Sequence, residues 1–505
     1  MATFYVENFG CRATQADGAA LARQFRERGL EEARDPSGAE IVVVNTCTVT
    51  QSADRDARAA IHRIHRENPD CRIIVTGCYA QRAPEQLAAL PGVAQVIGNS
   101  HKHRLVDLAV PTRTPAAARM EAQFVPLSRL VLGASRATAD ERRATAGGEA
   151  AEIFVSDIFA HTELLAAPVV DAGRERTRPI LKVQDGCDNR CSFCVIPYVR
   201  GSSRSLPLGR ILEEVNQLIR AGYREVVLSG INLGRWGRDL SPPPAARTRS
   251  LGFEDLVRSI LTHTALERLR ISSVEPMDWT EELICLVAES PRIAKHAHVP
   301  LQSGSDRILR SMHRKYRPWH YREKIRALRR AMPASAIGAD VMVGFPGETD
   351  EDFRETERMV EELPFTYLHV FPYSPRPGTG AAAMGDQVPR EVAEERSRIL
   401  RQLAGEKQLA FMRSLIGQLQ EAITLDSGKS QFRRNRVADR VGSDDAIFTE
   451  ALTDNYLKLW LRGQHEPNCW LQAQIEEIQD GGLIGVVRRS PPNHSEAASP
   501  ASQPD

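Results

Sequence analysis

The first hundred residues alternate short apolar runs with segments of helical periodicity. Residues 3–9, 40–45 and 72–76 are apolar runs of strand length, whereas residues 15–28 and 53–67 repeat apolar positions at helical spacing. Strands that alternate with amphipathic helices predict an open parallel α/β sheet. Ligands of such sheets bind beyond the carboxyl ends of the strands, so the residues that follow these runs are candidates for chemistry.

The same alternation resumes at Pro179 and continues through six strand–helix units. The predicted strands are residues 180–184, 225–229, 268–273, 296–301, 338–343 and 367–371. Consecutive βα units of this kind predict a partial parallel (β/α)6 barrel, with its site at the carboxyl ends of the strands.

A third pattern follows a charged helical stretch at residues 390–415. Five short strands are predicted with little helix between them, at residues 420–424, 447–449, 456–461, 469–474 and 483–487. This pattern predicts a small antiparallel β-barrel of the kind that binds RNA. The tail that begins at Ser490 is rich in Ser, Pro and Ala and is predicted to be disordered.

The composition says more about the cellular compartment of the protein than about whether it binds RNA. The chain has 505 residues, and 66 Lys and Arg against 65 Asp and Glu give a net charge of +1. Any affinity for RNA must therefore come from local patches. Nine cysteines without a signal peptide or a long apolar run predict a cytoplasmic protein with no membrane segment. Its cysteines are then ligands or free thiols, because disulfides are rare in that compartment.

Three cysteines directly follow the first strand of the second pattern. Cys187, Cys191 and Cys194 are separated by three and then two residues. Thiolates hold iron–sulfur clusters, and three of them leave one iron of a 4Fe–4S cubane without a protein ligand. The amino and carboxylate groups of S-adenosylmethionine suit that open position, and one electron can then release a 5′-deoxyadenosyl radical. A structural zinc site is the alternative, but such sites usually have four ligands in CxxC pairs.

A second set of cysteines follows the strands of the first pattern. Cys11 follows the first strand, Cys47 the second and Cys78 the third. Because the carboxyl ends of parallel strands share one edge, we expect these thiols to meet there and to hold a second cluster. Cys71 precedes its strand and is expected at the opposite edge. The alternative is that each is an ordinary buried cysteine.

The motifs around both cysteine sets resemble those of the radical S-adenosylmethionine methylthiotransferase family. They are residues 9–11 (FGC), 45–50 (NTCTVT), 76–81 (TGCYAQ), 184–194 (QDGCDNRCSFC), 300–305 (PLQSGS), 343–349 (VGFPGET) and 371–376 (FPYSPR). The NTCTVT form resembles the branch that acts on N6-threonylcarbamoyladenosine of tRNA. One departure is residues 9–15, FGCRATQ, where the family usually has LGCKVNQ; the changes flank the cysteine and leave it in place.

The resemblance implies how the chain is divided. The expected segments are an N-terminal methylthiotransferase cluster domain (1–112), a partly flexible connector (113–172), a radical S-adenosylmethionine core (173–403), a TRAM-like RNA-binding domain (406–488) and a disordered tail (489–505).

The resemblance also implies cofactors and partners. Two 4Fe–4S clusters are expected, on Cys11, Cys47 and Cys78 and on Cys187, Cys191 and Cys194, with S-adenosylmethionine as both methyl donor and radical source. The expected contacts to S-adenosylmethionine are Ser229, Gly230, Asn232, Glu275, Gln302 and Ser303. The expected partners are tRNA, a sulfur donor and an electron donor such as a flavodoxin or ferredoxin.

Two further groups of residues have competing interpretations. Residues 431–436 (QFRRNR) and 451–456 (ALTDNY) combine Arg with Phe or Tyr, which suits phosphate contacts and stacking on unpaired bases. A short basic run is more often a solvated face. His296 and His298 alternate on one predicted strand, and we expect them to be surface or hydrogen-bonded core residues because the cysteines already explain the metal chemistry.

Other functions compete with this one. The same family includes enzymes that methylthiolate isopentenyladenosine in tRNA or a ribosomal-protein side chain. A noncatalytic iron–sulfur protein that binds RNA or carries electrons is the alternative from another class. Electron carriers usually complete all four cluster ligands with cysteine, so two sets of three favour catalysis.

Overall fold

The computed structural model describes residues 2–110, 151–161, 163–165, 177–240, 251–426 and 447–488. The described chain forms two compact units. The first consists of residues 1–10, 21–48 and 52–161, and the second of residues 11–20, 49–51 and 162–505. The basic run at 431–436, most of the predicted connector and the predicted tail lie outside the described residues.

The first unit contains a six-stranded sheet in which all paired strands are parallel. Its spatial order is β2-β1-β3-β4-β5-β6. The strands are β1 (Thr3–Asn8), β2 (Glu31–Glu32), β3 (Ile41–Thr46), β4 (Arg72–Gly77), β5 (Val93–Gly98) and β6 (Glu152–Phe154). The helices are α1 (Arg12–Glu27), α2 (Gln51–Glu67), α3 (Cys78–Arg82), α4 (Pro84–Ala88) and α5 (Leu105–Ala109). The predicted open parallel sheet is confirmed.

One strand of this sheet lies in the segment that we expected to be a connector. Residue Glu152 pairs with Gln95 of β5, and its carboxylate accepts a hydrogen bond of 2.9 Å from the Gln95 side chain. Three residues with so little apolar patterning give no strand signal in the sequence.

The second unit begins with the predicted partial barrel. Its strands are β7 (Ile180–Asp185), β8 (Arg204–Ser205), β9 (Glu225–Gly230), β10 (Arg268–Ile271), β11 (His296–His298), β12 (Ala336–Val343) and β13 (Tyr367–Pro372). Two sheets, ordered β10-β9-β7-β8 and β11-β12-β13, are linked by a parallel bridge between Ser273 and His298. The six predicted strands are therefore present and neighbour one another in chain order, while the short β8 pairs antiparallel to β7.

Alternate positions along these strands have opposite surroundings. Leu181, Val183, Val226 and Leu228, for example, belong to the main apolar core. The helices around it are α6 (Ile196–Arg200), α7 (Leu208–Arg220), α8 (Phe253–His263), α9 (Glu281–Glu289), α10 (Asp306–Ser311), α11 (Pro318–Ala331) and α12 (Asp350–Glu362). The intervening positions of the same strands hold buried polar groups, such as Lys182, Gln184, Arg270, His296 and His298. Period-two alternation thus gives the barrel an apolar face and a polar face.

Residues 11–20, the start of α1, pack on the polar face. Ala16 contacts Ile180 of β7 and Val227 of β9. The carboxylate of Asp17 accepts hydrogen bonds from Lys182 and Arg200, which are both fully or almost fully buried. This half of α1 therefore belongs structurally to the second unit.

The second unit ends in a closed barrel that follows the long helix α13 (Arg390–Ser414). Its strands are β14 (Leu419–Thr424), β15 (Phe448–Thr453), β16 (Lys458–Arg462), β17 (Trp470–Gln479) and β18 (Gly482–Val487), in the order β14-β15-β16-β18-β17. The predicted α/β class with a small C-terminal barrel is confirmed. Only the pair β16 and β18 is parallel, and the other pairs are antiparallel. Within the described ranges, no helix combines the length and apolarity needed to cross a membrane.

The turn after β15 ties this barrel to the α/β core. Asp454 accepts a hydrogen bond from Arg268 at 2.5 Å and one from the backbone N–H of Lys295 at 3.0 Å. The ring of Tyr456 lies 4.8 Å from that of His296. Asp454 and Tyr456 belong to the segment 451–456, whose role as an RNA contact stays a prediction, and both make internal contacts in the structure.

Candidate functional site

The loop after β7 places the three clustered cysteines at the carboxyl end of that strand. Gly186 has φ of 73°, and a Cβ atom there would lie 2.0 Å from the carbonyl oxygen of Ser202. The backbone N–H of Cys187 donates to the carbonyl of Gly201 at 3.0 Å. Only glycine tolerates both the backbone conformation and the close approach, so Gly186 sets the position of the loop.

Nitrogen donors surround the loop sulfurs. The backbone N–H of Asn189 lies 3.4 Å from Sγ of Cys187, and Nδ2 of Asn232 lies 3.5 Å from the same atom. Nη1 of Arg314 donates to Sγ of Cys191 at 3.3 Å. Such N–H···S contacts stabilise thiolate, which is the form that binds metal.

Burial acts in the opposite direction on the free thiols. It raises the pKa of Cys194 to about 12, and the neighbouring thiols of Cys191 and Cys187 add to this effect. Burial likewise raises the pKa of Cys187, with a smaller contribution from Cys191. Burial and the neighbouring thiols therefore both favour the neutral form, and a bound metal cation would stabilise the ionised forms together.

A buried charge network supports the base of this loop. Asp185 accepts hydrogen bonds from Arg200 at 2.9 Å and from Lys182 at 2.9 Å, and both cations also contact Asp17. Burial alone favours the neutral acid, but Arg200 and Lys182 hold the pKa of Asp185 well below its usual range. The backbone N–H of Gly186 donates to the same carboxylate at 2.8 Å, so the network orients the loop directly.

In the first unit, two cysteines lie at the carboxyl ends of neighbouring parallel strands. Cys47 follows β3 and Cys78 follows β4, whose final residues Thr46 and Gly77 are paired. Both cysteines are buried. Nδ2 of Asn99 donates to Sγ of Cys78 at 3.6 Å. A Cβ atom at Gly10 would lie 2.4 Å from the Cβ of Cys47, so glycine is needed where the chain leaves β1.

Cys11 belongs to the second unit and is exposed. It follows β1, the neighbour of β3 in the sheet, and its sulfur lies 3.6 Å from the hydroxyl of Thr14. Cys71 precedes β4, as the sequence predicted, and packs in the apolar core of the first unit.

Comparison with known proteins identifies the family. The family model described as "Uncharacterized protein family UPF0004" matches residues 3–98, and the one described as "Radical SAM superfamily" matches residues 181–360. The chain is 33% identical to the "Threonylcarbamoyladenosine tRNA methylthiotransferase MtaB" of Bacillus subtilis (strain 168), over 92% of each chain. The chain belongs to the radical S-adenosylmethionine methylthiotransferase family.

Two further similarities were found. It is 32% identical to the "tRNA-2-methylthio-N(6)-dimethylallyladenosine synthase" of Erythrobacter litoralis (strain HTCC2594), over 85% of this chain and 87% of that one. The solved structure of the radical S-adenosylmethionine methyltransferase TsrM from Kitasatospora setae matches with a TM-score of 0.49 and 17% identity, covering 76% of this chain and 74% of that one.

Membership of this radical S-adenosylmethionine family implies an enzyme with a 4Fe–4S cluster and S-adenosylmethionine. The residues present fit both groups. The loop offers three thiols with N–H donors, and two buried side-chain oxygens lie near the ends of barrel strands. Oδ1 of Asn232 and Oε1 of Gln302 are buried and have no hydrogen-bond partner within the described part of the chain. Unpaired buried acceptors are costly, and the amino group of S-adenosylmethionine could supply the missing donor.

The other expected S-adenosylmethionine contacts have different surroundings. Glu275 accepts a hydrogen bond from Arg314, which also contacts Cys191, so it borders the cysteine loop. Gly230 is packed closely, because an added Cβ would lie 3.0 Å from Oε1 of Gln184. Ser229 is buried on β9. The hydroxyl of Ser303 lies 3.3 Å from that of Thr356 and accepts from the backbone N–H of Ser305, so it organises the start of α10.

Several residues at the site were not predicted from the sequence. Arg314 contacts a loop sulfur from 123 positions away, and Asp17 contacts Lys182 from 165 positions away. Gln184, which was noted only as part of a motif, accepts from the N–H of Asn232 at 2.7 Å and donates to the carbonyl of Gly186 at 2.8 Å. It thereby links the cysteine loop to the end of β9.

Proposed function

We propose that this enzyme transfers a methylthio group to C2 of N6-threonylcarbamoyladenosine, next to the anticodon of tRNA, with two 4Fe–4S clusters. The observation that carries the two-cluster part is the second set of cysteines, which follow β1, β3 and β4 in one parallel sheet. The substrate part is supported by the NTCTVT motif and by the names of relatives in Bacillus subtilis and Aquifex aeolicus, which are 33% and 35% identical.

Each cysteine set has its own role in this proposal. Cys187, Cys191 and Cys194 hold the cluster that, when bound and reduced, supplies the electron for cleavage of S-adenosylmethionine. Cys11, Cys47 and Cys78 hold the auxiliary cluster, whose open iron suits a sulfur ligand. Thr46 and Gly77, which directly precede Cys47 and Cys78, are paired in the sheet, and this supports a site at that edge.

The remaining side chains bind and orient the cofactor. Asn232 and Gln302 would hold the amino group of S-adenosylmethionine, because their buried oxygens need a donor. Glu275 is held by Arg314 beside Cys191 and is placed to bind a ribose hydroxyl. Ser229 and Gly230 would lie beside the cofactor at the end of β9. Ser303 supports the start of α10 by accepting a hydrogen bond from Ser305.

The domain division expected from the sequence belongs to the same proposal. Residues 1–112 carry the auxiliary cluster, 173–403 carry the radical chemistry and 406–488 bind tRNA. The basic run at 431–436 supports tRNA binding from composition alone. An external reductant, such as a flavodoxin or ferredoxin, and a sulfur donor complete the partners.

Nucleoside mass spectrometry of tRNA tests the substrate. A strain that lacks the gene is expected to lose the 2-methylthio form of threonylcarbamoyladenosine while it keeps the unmodified parent nucleoside. The wild-type gene restores the modification, and a Cys47→Ala gene does not.

The second candidate is methylthiolation of dimethylallyladenosine, because relatives named for that activity are 32–33% identical over 85% of the chain. Loss of that nucleoside, with the threonylcarbamoyl derivative intact, would select the second candidate. If both nucleosides are unchanged, mass spectrometry of ribosomal proteins tests the third member of the family.

A further inference from the structure

A cluster of metal-ligating side chains lies on the polar face of the barrel, apart from the six cysteines. His298 of β11, Asp340 of β12 and His369 of β13 each offer one ligand atom, and these atoms all lie within 4.8 Å of one another. Nε2 of His298 lies 3.4 Å from Oδ1 of Asp340. Two imidazoles and one carboxylate form a donor set used by zinc and by ferrous iron in proteins.

The strand register brings these residues together. Asp340 is directly opposite His369, and His298 is paired with Gly338, two positions before Asp340. Residues two apart on a strand share a face, so all three side chains leave the same side of the sheet. Three adjacent strands thus contribute one ligand each, which fixes the donor atoms by backbone hydrogen bonding rather than by a flexible loop.

The two ring nitrogens of His298 differ in their hydrogen bonding. Its Nδ1 is 2.7 Å from the hydroxyl of Ser273, whereas its Nε2 is buried and has no hydrogen-bond partner among the residues that the structure describes. The side chain is only 8% exposed. A histidine that ligates a metal has this arrangement, with one ring nitrogen fixed by a polar partner and the other facing the ion.

We propose that His298, Asp340 and His369 bind one divalent transition-metal ion, separate from the iron–sulfur clusters. His369 is exposed and Asp340 is partly exposed, so the ion can enter and its remaining positions are open to water or to a substrate oxygen. Arg12 adds positive charge near His369, which weakens cation binding, and the carboxylate of Asp340 offsets that charge. The site goes beyond the proposed function and does not depend on it.

Zinc binding by the cluster-loaded, full-length protein tests this site. Anaerobically reconstituted enzyme is equilibrated with zinc alone against a chromophoric chelator, and zinc and iron are then counted by mass spectrometry. We expect about one zinc per chain beyond the iron. Asp340→Asn and His369→Ala should each lose this zinc while the iron content is unchanged. His263→Ala removes an exposed histidine of α8 and should change neither metal.

Two further variants distinguish loss of the site from misfolding, and zinc at this site from zinc bound by the cysteines. Ser273→Ala removes the partner of Nδ1 and should weaken zinc binding roughly 10-fold or more without removing it. A variant with all six cluster cysteines replaced by Ala should still bind one zinc. Zinc that is retained by His369→Ala but lost from the six-cysteine variant would overturn the proposal, as would the absence of zinc from the parent.

Discussion

At the scale of single residues, charge placed beside the loop cysteines is the clearest feature. Arg314 is buried, donates to Sγ of Cys191 and is anchored by Glu275. A guanidinium next to a ligand sulfur stabilises negative charge there, and reduction of a cluster adds one electron to that region. Arg314 is therefore expected to raise the reduction potential of the cluster that we propose for this loop.

Replacement of Arg314 by Gln should lower that potential. We expect a fall on the order of 50 mV, close to a tenfold change in a one-electron equilibrium, because a charged hydrogen bond is lost. An EPR-monitored redox titration in a Cys11→Ala, Cys47→Ala, Cys78→Ala background measures it. Arg310→Gln, which removes an exposed arginine of α10, is the control. An equal shift in both variants would contradict a specific role for Arg314.

A second prediction concerns the contribution of Lys182 to the stability of the fold. Its replacement by Met leaves Asp17 and Asp185 buried with Arg200 as their main shared cation. We expect a loss of about 3–5 kcal/mol in the free energy of unfolding, the usual cost of breaking a buried ion pair from one side. Arg224→Met removes one side of an exposed pair with Glu267 and should cost about 1 kcal/mol or less. Anaerobic urea denaturation compares the two, and similar midpoints would refute the prediction.

Among the secondary-structure elements, the short connections that follow strands contain the candidate ligand cysteines. β7 ends at Asp185, and the loop that follows turns at once through Gly186. β3 and β4 end directly before Cys47 and Cys78. Strands hold these positions rigidly, whereas the loops are free to present thiols. Cys11, Cys47, Cys78 and Cys187 each lie within about three residues of a strand end, and Cys191 and Cys194 follow Cys187 in the same loop.

Gly186→Ala tests this dependence on the turn. The substitution forces a Cβ into the carbonyl of Ser202 and strains the backbone, so the loop should no longer hold its cluster. Iron should fall from about eight to about four atoms per chain if both clusters form as proposed. Gly209→Ala, in α7 with no atom within 4 Å of the added Cβ, should keep all the iron. Full iron in Gly186→Ala would show that the turn is dispensable.

In the molecule as a whole, each cysteine set follows strands of a different sheet. One set follows strands of the six-stranded sheet, and the other follows β7 of the partial barrel. Within the second unit, Arg268 and Asp454 join the partial barrel to the terminal one. This organisation predicts that the two cysteine sets can be inactivated separately.

A Cys47→Ala enzyme should still cleave S-adenosylmethionine reductively but should form no methylthiolated product. The triple variant Cys187→Ala, Cys191→Ala, Cys194→Ala should keep about four irons and lose both activities. Chromatography of 5′-deoxyadenosine and iron analysis of the two variants provide the measurements. Methylthiolation by Cys47→Ala would show that the cysteines of the first unit are structural.

The strands, the helices and the candidate ligands could be predicted from the sequence, because each depends on a local pattern. Period-two and helical patterns predicted β1, β3, β4 and the six main barrel strands, with bounds that differ by a few residues at most. The spacing of Cys187, Cys191 and Cys194 needs no partner from elsewhere in the chain to be recognised. The strand at 296–301 was overextended, since the structure ends it at His298, shortly before Pro300.

Contacts between side chains that are distant in the sequence became visible only in the folded chain. Arg314 approaches Cys191, and Tyr456 packs on His296, across separations that leave no periodic signal in the sequence. The grouping of His298 with Asp340 and His369 depends on strand register, and a shift of one residue would turn a side chain to the other face. Local patterns therefore specify the strands, whereas long-range pairing places their polar side chains in one site.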